Sequence, residues 1–341
     1  MTASIFLNGL QYLGYILIFP GFLFCFLCGM LLVGIDRKLV ARMQKRVGPP
    51  ILQPFYDFFK LCGKETIVPA AASRTTFLVA PIVGLAALVV NQLFIPIHGF
   101  TAFSGMADII VILYLLLIPA LSVILGAASS GSPYAGVGLS REMVTVLSVE
   151  LPLVLVLLAV AKTVGNALGT GLCFSLTDIV NYQIANGSLL TRLSMLPAAA
   201  AMLLIIPGET GSHPFDAAEA ETEICEGMLA EYSGAPLAVY KLSHAVKLLT
   251  MTSLFVALFL GGIGGGVMTL LSGLSPAAAG AIGLVLEILI LFLLCVVLVA
   301  VCVSLLHAVT ARLRIEQLFK YYWTVVTGLA AVSVVLAWYG L

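Results

Sequence analysis

Apolar runs of about twenty residues alternate along this chain with short segments that hold nearly all of its charge. A hydrocarbon core about 30 Å thick takes about 20 apolar residues in helical form to cross. The pattern predicts eight spans, over 12–34, 77–96, 109–129, 143–161, 193–206, 246–263, 281–304 and 322–341, the fifth being the shortest. Pro20, Pro81, Pro119, Pro152 and Pro197 fall inside them. Membrane helices accept such prolines as kinks when neighbouring helices satisfy the freed carbonyls. The expected architecture is all-α, a single integral membrane domain over 1–341.

Two polar stretches interrupt the pattern. The first, 36–65, reads DRKLVARMQKRVGPPILQPFYDFFKLCGKE. Leu39, Val40, Met43 and Val47 gather on one helical face opposite the basic residues. After the VGPP break, Phe55, Phe58, Phe59 and Cys62 recur at i, i+3, i+4 and i+7, with Pro54 suited to a first helical turn. Both pieces read as interfacial amphipathic helices. Anchoring to anionic lipid and docking of a protein explain the basic face equally well.

Mean hydropathy of +1.15 and 9% charged residues exclude an ordinary soluble domain. A formal net charge of zero gives no reason to invoke nucleic acid. Residues 1–35 carry no charge, so the basic start of a cleavable signal peptide is missing and the first segment reads as a retained anchor. Fourteen of the sixteen Lys and Arg residues fall on one side of the predicted array, with only Lys162 and Arg192 on the other. The positive-inside rule then puts both termini outside and both polar stretches in the cytoplasm. Of the seven cysteines, Cys25 and Cys28 alone form a CxxC, inside an apolar helix and with no second pair. Such residues are more often packing groups than a metal or redox site.

The second stretch, 207–234, holds seven of the sixteen carboxylates and no Lys or Arg. Asp216-x-x-Glu219 has the form of a capping box, and Gly227 is placed to end the helix it would start. On that helix Asp216, Glu219, Glu223 and Glu226 share one narrow face, where like charges three and four apart repel. Coupled acids in a low-dielectric setting stay partly protonated, which suits a proton path. An acidic face docking on a basic partner has the same spacing. Glu209 follows the fifth span, Glu231 precedes the sixth, and Lys241 and Lys247 enter the sixth, either to pair with the acids or to snorkel outward. Glu150 stands inside the fourth span, eight residues from Glu142, and an intramembrane carboxylate is costly enough to imply function. Glu287 lies near the outer end of the seventh span, while Asp108 and Asp178 mark interfaces.

PFDAAEAETEICEGMLAEYSG resembles the signature loop of the complex I subunit 1 family, also called the H subunit of NADH-quinone oxidoreductase. DRKLVARMQKRVGP, LQPFYDFFKL, Arg141 with Glu150 nine residues on, and RLRIEQLFKYYW at 312–323 extend the resemblance over nearly the whole chain, in order. Within the family the chain is more similar to the membrane subunit of energy-converting [NiFe]-hydrogenases and formate hydrogenlyase. It has a short GPPILQP where the quinone branch carries a longer insertion, SGSPYAGVGLSREM at 130–143, and Ser212 in GSHPFD where the quinone branch has arginine. Lys241 and Lys247 also resemble the hydrogenase pattern. Two positions depart from the family: His244 stands where complex I chains often have Glu, and His307 where the related hydrogenase chains commonly carry Glu.

The resemblance implies a membrane anchor and coupling subunit with no catalytic centre or metal of its own. A [NiFe] centre and iron–sulfur clusters would sit on hydrogenase-like large and small subunits and iron–sulfur proteins in the cytoplasmic arm, and antiporter-like membrane subunits would move H⁺ or Na⁺ across the cell membrane. Glu150, Glu209, Asp216, Glu219, Glu221, Glu223, Glu226 and Glu231, with Arg141, Glu142, Lys241 and Lys247, would carry the coupling. Arg37, Arg42, Arg46, Arg312 and Arg314 would meet the arm. A quinone-binding subunit of a complex I-type enzyme and the equivalent subunit of a sulfur-reducing relative are the alternatives. A stand-alone transporter would show paired half-repeats, and none is evident.

Overall fold

The computed structural model describes residues 12–97, 108–261 and 276–340. The expected outer ends of the sixth and last spans, Ile263 and Leu341, and the uncharged residues 1–11 lie outside that set. Among the described residues, ten helices of ten or more residues carry the fold: α1 (Phe22–Met43), α2 (Gln53–Cys62), α3 (Arg74–Phe94), α4 (Ile109–Ser130), α5 (Pro133–Leu168), α6 (Leu176–Asn186), α7 (Leu196–Glu209), α8 (Gly234–Phe259), α9 (Pro276–Val299) and α10 (Ile315–Trp338). Strand-like structure is limited to isolated bridge positions among the described residues, including the antiparallel bridge of Asp108 with Ser175. Among the described residues seven helical stretches are long and apolar enough to cross a bilayer, one fewer than the eight expected; α7, at 14 residues, is a shorter apolar helix at the place of the expected fifth span.

The polar segments collect at the two ends of the bundle. At the charged end the Ile67 amide donates to Ser233, the Ser73 amide to Ser129, and the Leu313 amide to Pro214. At the opposite end the Ile109 amide donates to Phe174, Asn166 to Ala337, and Gln183 to Ala257 and Leu258. There Lys162 lies over the Trp338 ring at 4.7 Å and Arg192 hydrogen-bonds Tyr182.

Three boundaries differ from the sequence pattern. Pro20 sits in a break before α1 instead of kinking it, and Pro197 occupies the first turn of α7, where its missing N–H costs nothing. The basic segment after Asp36 is no separate interfacial helix. Val40 and Ala41 are buried, so α1 runs on to Met43 and stops where Lys45 turns left-handed (φ 57°), leaving Val47 fully exposed outside it. The fourth span is 36 residues long, roughly 50 Å. Glu142 therefore belongs to the same rigid helix as Glu150, about 12 Å further along its axis.

Nearly every residue of α8 is buried, and α8 packs on α1, α2, α3, α7 and α9. The α1 contact is close because Gly29 has no side chain: a Cβ there would lie 2.9 Å from the Ala245 carbonyl oxygen and 3.3 Å from the Val246 nitrogen. Both are backbone atoms of a packed helix and cannot swing aside. Gly29→Ala is expected to lower stability by about 1–3 kcal/mol, the usual cost of overpacking. Gly136→Ala, in open space on α5, should be neutral or slightly stabilising. Thermal unfolding of the two variants in detergent checks the contrast.

Candidate functional site: a charged cavity beneath the acidic loop

A cavity of about 420 Å³ opens at the charged end, between α1, α5, α7 and α8 and beneath the loop 210–229. Its wall holds the acids Asp36, Asp57, Glu142, Glu209, Asp216, Glu219 and Glu226, the bases Arg37, Lys241, Lys247 and Arg312, and three histidines, His213, His244 and His307. Met30, Val33, Phe58, Leu61, Met228 and Leu237 give it an apolar side.

The acidic stretch does not form the expected helix. Glu221–Ile224 makes a single α-helical turn, which ends where Cys225, Glu226 and Gly227 are all left-handed (φ 51°, 65° and 49°), and Gly227–Leu229 adds a short 3-10 turn. Asp216, Glu219, Glu223 and Glu226 therefore share no helical face. The capping box fails because the Asp216 carboxylate has stronger partners. Arg312 grips it from Nε (2.9 Å to Oδ1) and from Nη2 (2.6 Å to Oδ2), and His213 Nδ1 lies 3.1 Å from Oδ1. The Glu219 amide bonds instead to the Asp216 backbone carbonyl, at 3.2 Å. Charge-assisted bidentate contacts outweigh a single capping bond.

Three further ionic contacts organise the site. Lys247 Nζ lies 2.9 Å from Glu209 Oε1, with side chains only 12% and 9% exposed. Arg141 reaches across to the loop, donating to Glu223 at 2.6 Å and to the Ala217 carbonyl at 3.2 Å. Ser304, in a π-helical turn (Ala300–Ser304) that follows α9, donates to Asp36 at 2.6 Å. Such turns open the helical ladder and recur at functional positions.

The electrostatics separate the loop acids. Burial alone would raise the Asp216 carboxyl, but the hydrogen bonds and charges of His213 and Arg312 prevail and hold it below the ordinary aspartate value. Glu219 goes the other way. Burial, and then the charges of Glu142, Asp216 and Glu226, push it up to about 7, with Lys241 offsetting part of the rise. Glu219 lines the cavity and is exposed there, although protein surrounds it.

From Glu219 the charged groups continue inward. Glu142 is within electrostatic range of Glu219, Lys247 and Glu209, and half-buried Glu150 is within range of Glu209 and Lys247. Of the other expected site residues, Lys241 lines the cavity, Glu223 and Glu226 are exposed, and Glu231 is partly exposed just before α8. The side chain of Glu221 lies outside the described positions. Arg42, Arg46 and Arg314 are exposed at the charged end, Arg37 pairs with Asp57 at 3.1 Å, and Arg312 points inward to Asp216.

A family model described as NADH dehydrogenase matches residues 16–338. The chain belongs to the complex I subunit 1 family. Within that family it is 37% identical over 234 residues to hydrogenase-4 component C of Escherichia coli (strain K12), covering 67% of this chain and 70% of that one. It is 34% identical over 322 residues to the H subunit of NADH-quinone oxidoreductase from Thermomicrobium roseum, covering 88% and 87%. A chain in the structure of the membrane-bound sulfane sulfur reductase, an archaeal respiratory membrane complex, superposes with a TM-score of 0.81 at 30% identity, over 97% of this chain and 99% of that one. Several of the motifs recognisable in the sequence contribute to the cavity wall, through Asp36, Phe58, Asp216, Glu219 and Arg312 among others.

Among the acids and histidines of the cavity, Asp36, Asp57, His213, His244 and His307 stand outside the groups that the sequence pattern singles out for coupling or docking. Asp36, the first charge after 35 uncharged residues, has a positional signal. His213 has none beyond its place in GSHPFD, and His244 and His307 are visible only as departures from relatives.

Two outcomes test these electrostatics. The stability due to ionised Asp216 is present above the unfolded value of 3.8 and is lost as pH falls through the lower folded value. Asp216→Asn should therefore cost about 3 kcal/mol at neutral pH, by stranding Arg312, and the deficit should shrink in strong acid. Denaturation at both pH values measures it. For Glu219 the folded state holds its proton more tightly, so its contribution is present below pH 4.5 and is lost as pH rises through about 7. Infrared difference spectra should show a protonated carboxyl titrating near pH 7 that is absent in Glu219→Gln.

Proposed function

We propose that this chain is the membrane anchor and coupling subunit of an energy-converting [NiFe]-hydrogenase in the cell membrane, linking redox chemistry in a cytoplasmic arm to H⁺ or Na⁺ translocation. The observation that carries the coupling role is the buried Lys247–Glu209 pair, with Glu142 and Glu150 both in range of its charges. It makes one electrostatic line from the cavity to the middle of α5. A proton gained or lost at Glu219, poised near neutral pH, changes the field at Glu142, and Glu142 in turn acts on Glu209 and Lys247. The chemistry asked of this chain is therefore proton holding and charge displacement, with the electron carriers on partner subunits.

The hydrogenase assignment is supported by the short GPPILQP loop, by Ser212 in GSHPFD, and by the similarity to hydrogenase-4 component C. A second reading, the same role in a sulfur-reducing complex, is favoured by the match over almost the full length of the sulfane sulfur reductase chain. A quinone-reducing complex is the third.

Two measurements follow. The intact complex, purified through a tag on this chain, should contain near-stoichiometric nickel and no flavin. Flavin without nickel would return the chain to the quinone-reducing branch, and absence of both together with sulfur reduction would favour the second reading. In vesicles, Glu142→Gln and Glu150→Gln should each cut ion translocation by about tenfold or more, as loss of a positioned proton carrier does, while assembly is retained. Undiminished translocation in both variants would rule out the coupling role.

A further inference from the structure

His213 and His307 come from distant parts of the chain and meet at the cavity, ring centroids 4.5 Å apart and planes tilted by 37°. His213 belongs to the acidic loop; His307 belongs to the short helix Leu305–Val309 beyond the π turn that carries Ser304. Both are partly exposed, and exposed Arg46, just past α1, is within electrostatic range of His307. The pair thus bridges the solvent-exposed end and the cavity.

Its chemistry follows from Asp216. Arg312 keeps that carboxylate ionised, so it only accepts hydrogen bonds, and His213 Nδ1 at 3.1 Å must carry the proton between them. His213 Nε2 is then the free basic nitrogen. The charged and titratable groups facing the pair are Asp216 and Arg312 beside His213, and His213, Asp216 and Arg46 around His307. Charging both rings would set two imidazolium groups 4.5 Å apart with Arg46 and Arg312 nearby, and burial further disfavours the charge on His307, so the geometry opposes a doubly charged pair.

We propose that His213 and His307 form a one-proton relay at the cavity mouth, taking a proton from the aqueous phase and passing it through cavity water to the carboxylates beneath. No electron moves in this step: the proton leaves hydronium or buffer, resides on one imidazole nitrogen, and protonates a cavity carboxylate. The inference rests on the coupling role proposed above and assigns its entry point. Asp216 and Arg312 are positioning residues in this scheme, fixing the tautomer and ring orientation of His213.

The test uses the whole complex in sealed vesicles, with electron-transfer turnover and proton translocation followed together. His307→Ala and His213→Ala should each slow translocation by about tenfold. Added imidazole should restore it several-fold, and the limb of its pH profile near neutrality should flatten. Glu142→Gln, run in parallel, should lose translocation without imidazole rescue. His307→Gln and His213→Gln fill the sites with a non-titrating amide and supply the comparison if the alanine variants fail to assemble. Normal translocation in the histidine variants while Glu142→Gln blocks it would overturn the relay and leave the coupling role intact. Loss without rescue and with an unchanged pH profile would overturn it too, marking the histidines as packing groups. Normal translocation in all variants would remove the coupling role as well.

Discussion

An ammonium group among apolar helices stays there only with its counter-charge, because desolvation costs several kcal/mol per ion and removing one partner strands the other. Lys247 of α8 and Glu209 at the last residue of α7 satisfy each other in this way at 2.9 Å. The contact decides more than its own energy. It pins the end of the short apolar helix α7 against the most buried helix, and so fixes where the chain leaves the bundle to begin the acidic loop. It also sets a pair of opposite charges within electrostatic range of both Glu142 and Glu150.

The loop itself has little regular structure, and long-range polar contacts hold it in place. Arg312 and His213 hold Asp216, Arg141 holds Glu223 and the Ala217 carbonyl, and the Leu313 amide holds Pro214. Phe215 then stacks toward Tyr321 and Tyr322 of α10, whose Tyr322 hydroxyl donates to the Leu204 carbonyl of α7 at 3.0 Å. A helix carrying four acids on one stripe would have had to offset their mutual repulsion. Dispersing them lets each find its own environment, which is why Asp216 stays ionised while Glu219 is poised near neutrality.

The membrane architecture was legible because it rests on a constraint local to each segment. An apolar run of the right length must be helical in lipid, and positions 109–129, for instance, match α4 to within one residue. The loop was not legible, because its conformation depends on Arg141 and Arg312, 75 and 96 positions from Asp216, and no spacing rule within 207–234 reports them. The continuation of α1 to Met43 was hidden for the same reason: the periodicity of Leu39, Val40 and Met43 suits an interfacial helix as well as the end of a spanning one, and the burial of Val40 and Ala41 decides between them. The sequence pattern does not single out Asp36 and Asp57, whereas five acids of the site, Glu142, Glu209, Asp216, Glu219 and Glu226, could be named from it. Their grouping around a single cavity with three histidines could not.

Coupling an event in a partner subunit to the charges within the bilayer requires an element with two arrangements, each favoured by a different charge state. A rigid helix through 216–226 would be a poor candidate, since its acids would move together. The observed loop is divided, with Asp216 locked by Arg312 at one end and Glu223 held by Arg141 near the other, at a more exposed contact. Between them lies Glu219, whose charge is opposed by its acidic neighbours. Protonating Glu219 relieves that repulsion and ionising it restores it, so the middle of the loop is the part whose energy depends most on a single proton. The more exposed Arg141–Glu223 contact is the weaker of the two tethers and the one that a docked partner surface could most cheaply replace.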